Sequence, residues 1–101
     1  MAVQVTIPTR QIADFCRRNA IRKLALFGSV LRNDFRPDSD IDVLVEFEPN
    51  AKVNYFTFID MQDGLHQLFQ REIDLHTPQS LSPYIRPDII QSAEVIYEQE
   101  R

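Results

Sequence analysis

Residues 24–47 read LALFGSVLRNDFRPDSDIDVLVEF. The flanks, Leu24–Phe27 and Ile41–Phe47, are apolar runs that suit buried strands. Between them stand Gly28-Ser29 and then Asp40-x-Asp42. Side chains alternate along a strand, so Asp40 and Asp42 are expected on one face, about 6–7 Å apart along the chain. Ile41, Val43, Val45 and Phe47 take the other face. Two carboxylates at the mouth of an apolar strand repel each other, and desolvation adds to the cost. A divalent cation removes that conflict. Magnesium suits such a place, because it takes one or two carboxylates together with phosphate oxygens. The Gly-Ser turn supplies the phosphate half. Gly28 offers no side chain to obstruct close backbone approach, and a short helix starting at Ser29 would aim free N–H groups at an anion.

Gly28-Ser29, ten residues, then Asp40-Ile41-Asp42 resembles the signature of the DNA-polymerase-β-like nucleotidyltransferase superfamily. The stretch FGSVLRNDFRPDSDIDVLVEF is most similar to the minimal nucleotidyltransferases, the MNT half of HEPN–MNT toxin–antitoxin pairs. The likeness extends over nearly the whole chain. It includes a leading helix, a later REIDLHTP segment with a third aspartate, and a closing LSPYIRPDIIQSAEVIYE. It implies an α/β fold, a small mixed β-sheet with flanking helices.

The 101 residues are expected to form one domain, residues 1–101, with a modest core. Formal net charge is −4. That disfavours a protein whose main affinity is for polyanions, so no direct nucleic-acid binding is expected. Asp34, Asp38, Asp40 and Asp42 cluster as a metal–nucleotide site requires. The single cysteine, Cys16, precludes an internal disulfide and reads as a small apolar helix residue. The opening MAVQVTIPTRQ carries no signal-peptide core. No apolar run approaches the roughly 20 residues of a membrane span. A reduced cytoplasmic setting fits.

Along the chain, Val3–Ile7 alternates and reads as a short edge strand or an ordered arm. Pro8-Thr9 opens a helix of about ten residues, with Ile12, Phe15 and Cys16 as its apolar stripe. Ile21–Phe27 is the first strand. Leu24 and Leu26 face one way, Ala25 and Phe27 the other. Pro37 keeps Arg36 extended. Glu48–Lys52 is a turn-rich break, and a helix follows from Tyr55 to Phe69. Gly64 inside it costs about 1 kcal/mol against Ala and is expected to permit close packing on the sheet. Glu72–His76 is the third strand. Ser80–Ser92 holds a turn and a short helix, and Ala93–Glu98 a final strand. Gly28 and Asp40 must reach one site, so strands one and two should be antiparallel. A strand–helix–strand crossover makes strands two and three parallel, which sets Asp74 beside Asp40 and Asp42.

Three carboxylates on adjacent strands suit two-metal catalysis of an in-line displacement. The resemblance implies two Mg²⁺ ions held by Asp40 and Asp42, with Asp74 serving the ion that activates the acceptor hydroxyl. It implies that Gly28 and Ser29 contact the β- and γ-phosphates of ATP. Arg32 and Arg36 are further triphosphate candidates, because a guanidinium fork matches phosphate oxygens; ion pairs to Asp34 or Asp38 are the alternative. His76 shares a strand face with Asp74, and a packed or surface imidazole is the favoured account of it. An EF-hand fails as a reading of Asp38-x-Asp40-x-Asp42, since its sixth position is Val43 and its twelfth Pro49. Relatives often carry Arg where Val30 stands and Gly where Asn33 stands, which leaves Arg32 as the substitute phosphate contact.

The resemblance implies an adenylyltransferase antitoxin that transfers AMP from ATP to a tyrosine of a HEPN ribonuclease toxin. A non-catalytic module that silences the toxin by contact is the second possibility. A small-molecule nucleotidyltransferase of the aminoglycoside-modifying kind is the third, and the weakest, because those enzymes carry an additional helical domain for the acceptor.

Overall fold

The computed structural model describes residues 5–32, 36 and 39–99. Its elements are α1 (Thr9–Arg18), β1 (Ile21–Phe27), a 3₁₀ turn at Gly28–Leu31, β2 (Ile41–Phe47), α2 (Tyr55–Phe69), β3 (Ile73–His76), a second 3₁₀ turn at Pro78–Ser80, α3 (Arg86–Ser92) and β4 (Glu94–Glu98). The four strands form one mixed sheet in the order β3-β2-β1-β4. β1 runs antiparallel to β2 and to β4, and β2 runs parallel to β3. The α/β expectation and both strand directions are borne out.

Strand alternation decides which face each residue covers. Leu24, Leu26, Ile41, Val43 and Val45 are buried in one cluster with Ile12, Phe15 and Cys16 of α1 and Met61, Leu65 and Phe69 of α2. The opposite sheet face carries a smaller cluster of Ala25, Phe27, Leu44 and Leu81, with Ile89 and Ala93 packed against it. Desolvation in the main core pushes the Cys16 thiol up to about 12, so it is an inert apolar filler.

α2 begins with a reciprocal cap. Thr57 N donates to Asn54 Oδ1, and Asn54 N donates to Thr57 Oγ1, each at 2.9 Å. Gln70 closes it in the left-handed region at φ 57°. Ala20, at φ 54°, makes the sharp turn from α1 into β1. Gly64 packs differently from expectation. A β-carbon there would overlap the Phe15 ring of α1, so its neighbour is a helix and not the sheet. In the expected N-terminal strand, Val3 and Gln4 lie outside the described residues. Val5 and Ile7 precede α1 without strand pairing and pack against the core.

Candidate active site

The site lies where β1 ends and β2 and β3 begin. Phe27 pairs with Asp42 across the antiparallel ladder, and Asp42 pairs with Asp74 across the parallel one. Ile41 and Val43 point into the core. Asp42 therefore emerges on the opposite face, where Phe27 and Leu44 also lie. Asp74 and His76 are two apart on β3 and share that face.

His76 completes the group. Its Nε2 stands 3.1 Å from Asp74 Oδ2 and 3.9 Å from Asp42 Oδ1. The ring meets Phe27 edge-on, with centroids 5.5 Å apart. One donor atom each from Asp42, Asp74 and His76 fall within 4.8 Å of one another. The carboxyl of Asp42 is raised above its ordinary range, first by burial and next by the neighbouring Asp74 carboxylate. His76 and Arg32 pull it back down, and Asp40 adds to the rise.

Asp40 is placed apart from this trio. It precedes β2 by one residue and is exposed, so strict alternation from Asp42 does not govern it. It remains close enough to act on Asp42 through its charge.

The Gly28 turn closes the other side. Gly28 has φ +77°, and a β-carbon on it would collide with Oδ2 of Asp42. The 3₁₀ turn starts at Gly28, one residue before the expected Ser29, and Arg32 N donates to Ser29 O at 2.9 Å to end it. Val30 is fully buried in the main core, where an arginine could not be charged without large cost. Arg32 is exposed beside an open groove of about 480 Å³ that adjoins Gly28; Phe27, Leu31 and Ile89 form its apolar walls, and Asp88 lies at its edge.

Arg36 is exposed, and its backbone is tied down. Arg36 N donates to Ser39 Oγ at 3.1 Å, and Ser39 N donates to Arg36 O at 3.0 Å. Asn33, Asp34 and Asp38 lie outside the described residues, and so do the ion pairs weighed for them. Sequence reasoning missed Arg71, whose guanidinium donates to the carbonyls of Arg36 and Ser39. No local pattern announces a contact over 35 positions. The backbone of Arg71 is held as well: its carbonyl lies 2.7 Å from Nδ1 of His66. His76 is packed against Phe27, as expected of it, and its offset of two from Asp74 also turns its nitrogen to the acids.

Among known families, the nucleotidyltransferase domain model matches residues 9–96. The protein adenylyltransferase MntA of Thermococcus cleftensis is 30% identical over 92 residues, covering 91% of this chain and 89% of that one. A crystal structure of a toxin–antitoxin with AMP-PNP superposes with a TM-score of 0.72 at 18% identity, covering 93% of this chain and 76% of the other. A tri-AMPylated Shewanella oneidensis HEPN toxin in complex with an MNT antitoxin gives a TM-score of 0.58 at 18% identity, over 90% and 70%. At these identities the two structural likenesses speak to the fold. No helix among the described residues is long and apolar enough to cross a membrane.

Proposed function

The chain belongs to the nucleotidyltransferase domain family, and from that premise we propose a Mg²⁺-dependent protein adenylyltransferase that transfers AMP from ATP to a tyrosine of a partner HEPN ribonuclease toxin. The observation that carries this is the meeting of Asp42 and Asp74 on adjacent strands beside the Gly28 turn. The adenylyltransferase MntA and the AMPylated HEPN complex support the donor and the acceptor class.

Asp42 and Asp74 would hold the metal, with Asp40 supplying a further carboxylate at the mouth of β2. The carboxylates fit a hard divalent ion, and the charge conflict at Asp42 is of the kind such an ion relieves. Two bound Mg²⁺ ions would neutralise the triphosphate and lower the pKa of the attacking hydroxyl.

The chain's own residues do the rest. Gly28 allows backbone N–H groups to approach the phosphates, with Ser29 and Arg32 next to them. Arg36, exposed on the segment that leads into β2, would be a second guanidinium for the triphosphate. The groove beside Gly28 has room for the remainder of the nucleotide. The tyrosine oxygen forms a bond to the α-phosphorus as the bond from that phosphorus to the β-bridging oxygen breaks. Pyrophosphate leaves with the electron pair, and the phenolic proton departs on the Asp74 side.

The test is label position. With purified protein, Mg²⁺ and a partner HEPN toxin, radiolabel should pass to the toxin from α-labelled ATP and not from γ-labelled ATP. Transfer from the γ position, or none from either, would overturn the proposal.

A further inference from the structure

His76 is the group in this site that the nucleotidyl-transfer reading does not use. Its Nε2 faces both carboxylates, at 3.1 and 3.9 Å. It is no more exposed than Asp42, at 27% against 28%. The ring packs edge-on against Phe27, which is itself buried. An imidazole kept only for packing would not need its nitrogen between two acids. With the donor atoms of Asp42, Asp74 and His76 all within 4.8 Å, a single cation could touch all three.

We infer that His76 is a direct ligand of the divalent ion held by Asp42 and Asp74, and that it tilts this site from Mg²⁺ toward Mn²⁺. The inference rests on the metal-dependent reading above. Its chemistry is that of the donor. Mg²⁺ takes oxygen ligands almost exclusively, whereas first-row transition ions accept imidazole readily. Mn²⁺ is the ion of that row best matched to a site that is otherwise carboxylate.

The alternative is a positioning role, in which His76 only hydrogen-bonds Asp74 and orients it. Both roles would weaken metal binding when His76 is replaced, since an orienting partner alone can be worth about 10–100-fold in affinity. They differ in what the ion feels. Mn²⁺ should therefore be bound to the full chain and read by pulsed electron paramagnetic resonance, with calorimetry for Mn²⁺ and Mg²⁺ in parallel. Direct ligation predicts ¹⁴N modulation from imidazole, replaced by the ¹⁵N pattern in protein grown on ¹⁵N-histidine. That experiment needs no variant to fold. His76→Gln should abolish the modulation, while His66→Gln, at the only other histidine, should keep it. His76→Gln should also lower Mn²⁺ affinity by about tenfold more than Mg²⁺ affinity. Bound Mn²⁺ without nitrogen modulation, or equal losses for both ions, would overturn the inference. Asp42→Asn separates the two levels of argument. If Mn²⁺ binding depends on Asp42 but shows no nitrogen, His76 fails as a ligand and the metal-dependent reading stands. If Mn²⁺ does not bind even with AMP-PNP present, both fail.

Discussion

Oδ2 of Asp42 occupies the space that a β-carbon on Gly28 would need. The glycine is thus required twice, by its φ of +77° and by the acid it abuts. A left-handed backbone costs an ordinary L-residue about 1 kcal/mol or more. Gly28→Ala would add this strain and push the Asp42 carboxylate away from Asp74. We expect a melting temperature lower by about 4–8 °C. ATP affinity in Mg²⁺ should fall by about tenfold, the factor that a displacement costing about 1.4 kcal/mol would give. Calorimetry would read the second effect, and unchanged affinity would remove the coupling between turn and carboxylate.

Asp42 should be worth less than nothing to stability. Its carboxyl is raised by burial and by Asp74, so the folded chain holds this proton at pH values where the unfolded chain has released it. Between the ordinary value of 3.8 and the raised one, the native state binds more protons. Stability from this group therefore falls as pH rises through that window and stays lowered above it. Asp42→Asn should melt higher than wild type at neutral pH in EDTA, and the gap should close below the ordinary carboxyl value. The same variant should lose metal-dependent ATP binding. An equal or lower melting temperature at neutral pH would show that the conflict is relieved within the protein.

The sheet was legible because its signals are local. Alternation in Leu24–Phe27 assigns Leu24 and Leu26 to one core and Ala25 and Phe27 to the other, as observed. The crossover rule makes β2 and β3 parallel from the helix between them, which brings Asp74 beside the acids of β2; the structure adds the register, Asp42 opposite Asp74. Asp40 was harder. Periodicity holds only inside a strand, and β2 starts at Ile41. Arg71 and the Gly64–Phe15 contact were invisible for a different reason: each depends on how two distant segments meet, which no residue spacing encodes.

Gly64 sets helix propensity against packing. Ala is favoured over Gly by about 1 kcal/mol in a helix interior. A methyl group at Gly64 would overlap the buried Phe15 ring, and overpacking costs about 1–3 kcal/mol. Gly64→Ala should therefore be neutral to destabilising in urea unfolding, by up to about 2 kcal/mol. Gly64→Ala combined with Phe15→Leu should be more stable than the sum of the single changes implies. Simple additivity would mean that α1 and α2 separate without cost.

Arg71 should hold the approach to β2. Its guanidinium reaches the carbonyls of Arg36 and Ser39, while Ile41 N donates to Glu72 O at 2.9 Å. Both carbonyls are served by one nitrogen, Nη2, aimed by the planar guanidinium, and a lysine's flexible ammonium is not held in that direction. Arg71→Ala should speed amide exchange at Ser39 and Ile41 by about tenfold or more, as losing a charge-assisted hydrogen bond of about 1.5–3 kcal/mol implies. Arg71→Lys should recover only part of the protection. Unaltered exchange in both would assign the order of this segment to other contacts.

Asp74 distinguishes catalysis from mere binding. It is the more exposed of the paired acids, at 56% against 28%, and it stands on the strand beyond Asp42 as seen from the Gly28 turn. On the proposed function, a nucleotide anchored at that turn would meet Asp42 first, and an acceptor hydroxyl arriving opposite the leaving pyrophosphate would meet Asp74. Neutralising Asp74 should then leave most of the ATP affinity and remove stabilisation of the displacement itself, a pattern that lowers the rate constant far more than binding. For Asp74→Asn we expect AMP transfer slower by about 10²–10⁴-fold, the usual range for losing a positioned proton acceptor, with ATP affinity changed by less than about tenfold. Intact mass of a HEPN partner after incubation with ATP and Mg²⁺ reads the first quantity, and calorimetry reads the second. If wild type and Asp74→Asn neutralise the toxin equally with no mass added by either, the chain silences its partner by contact alone, and the carboxylates serve binding rather than transfer.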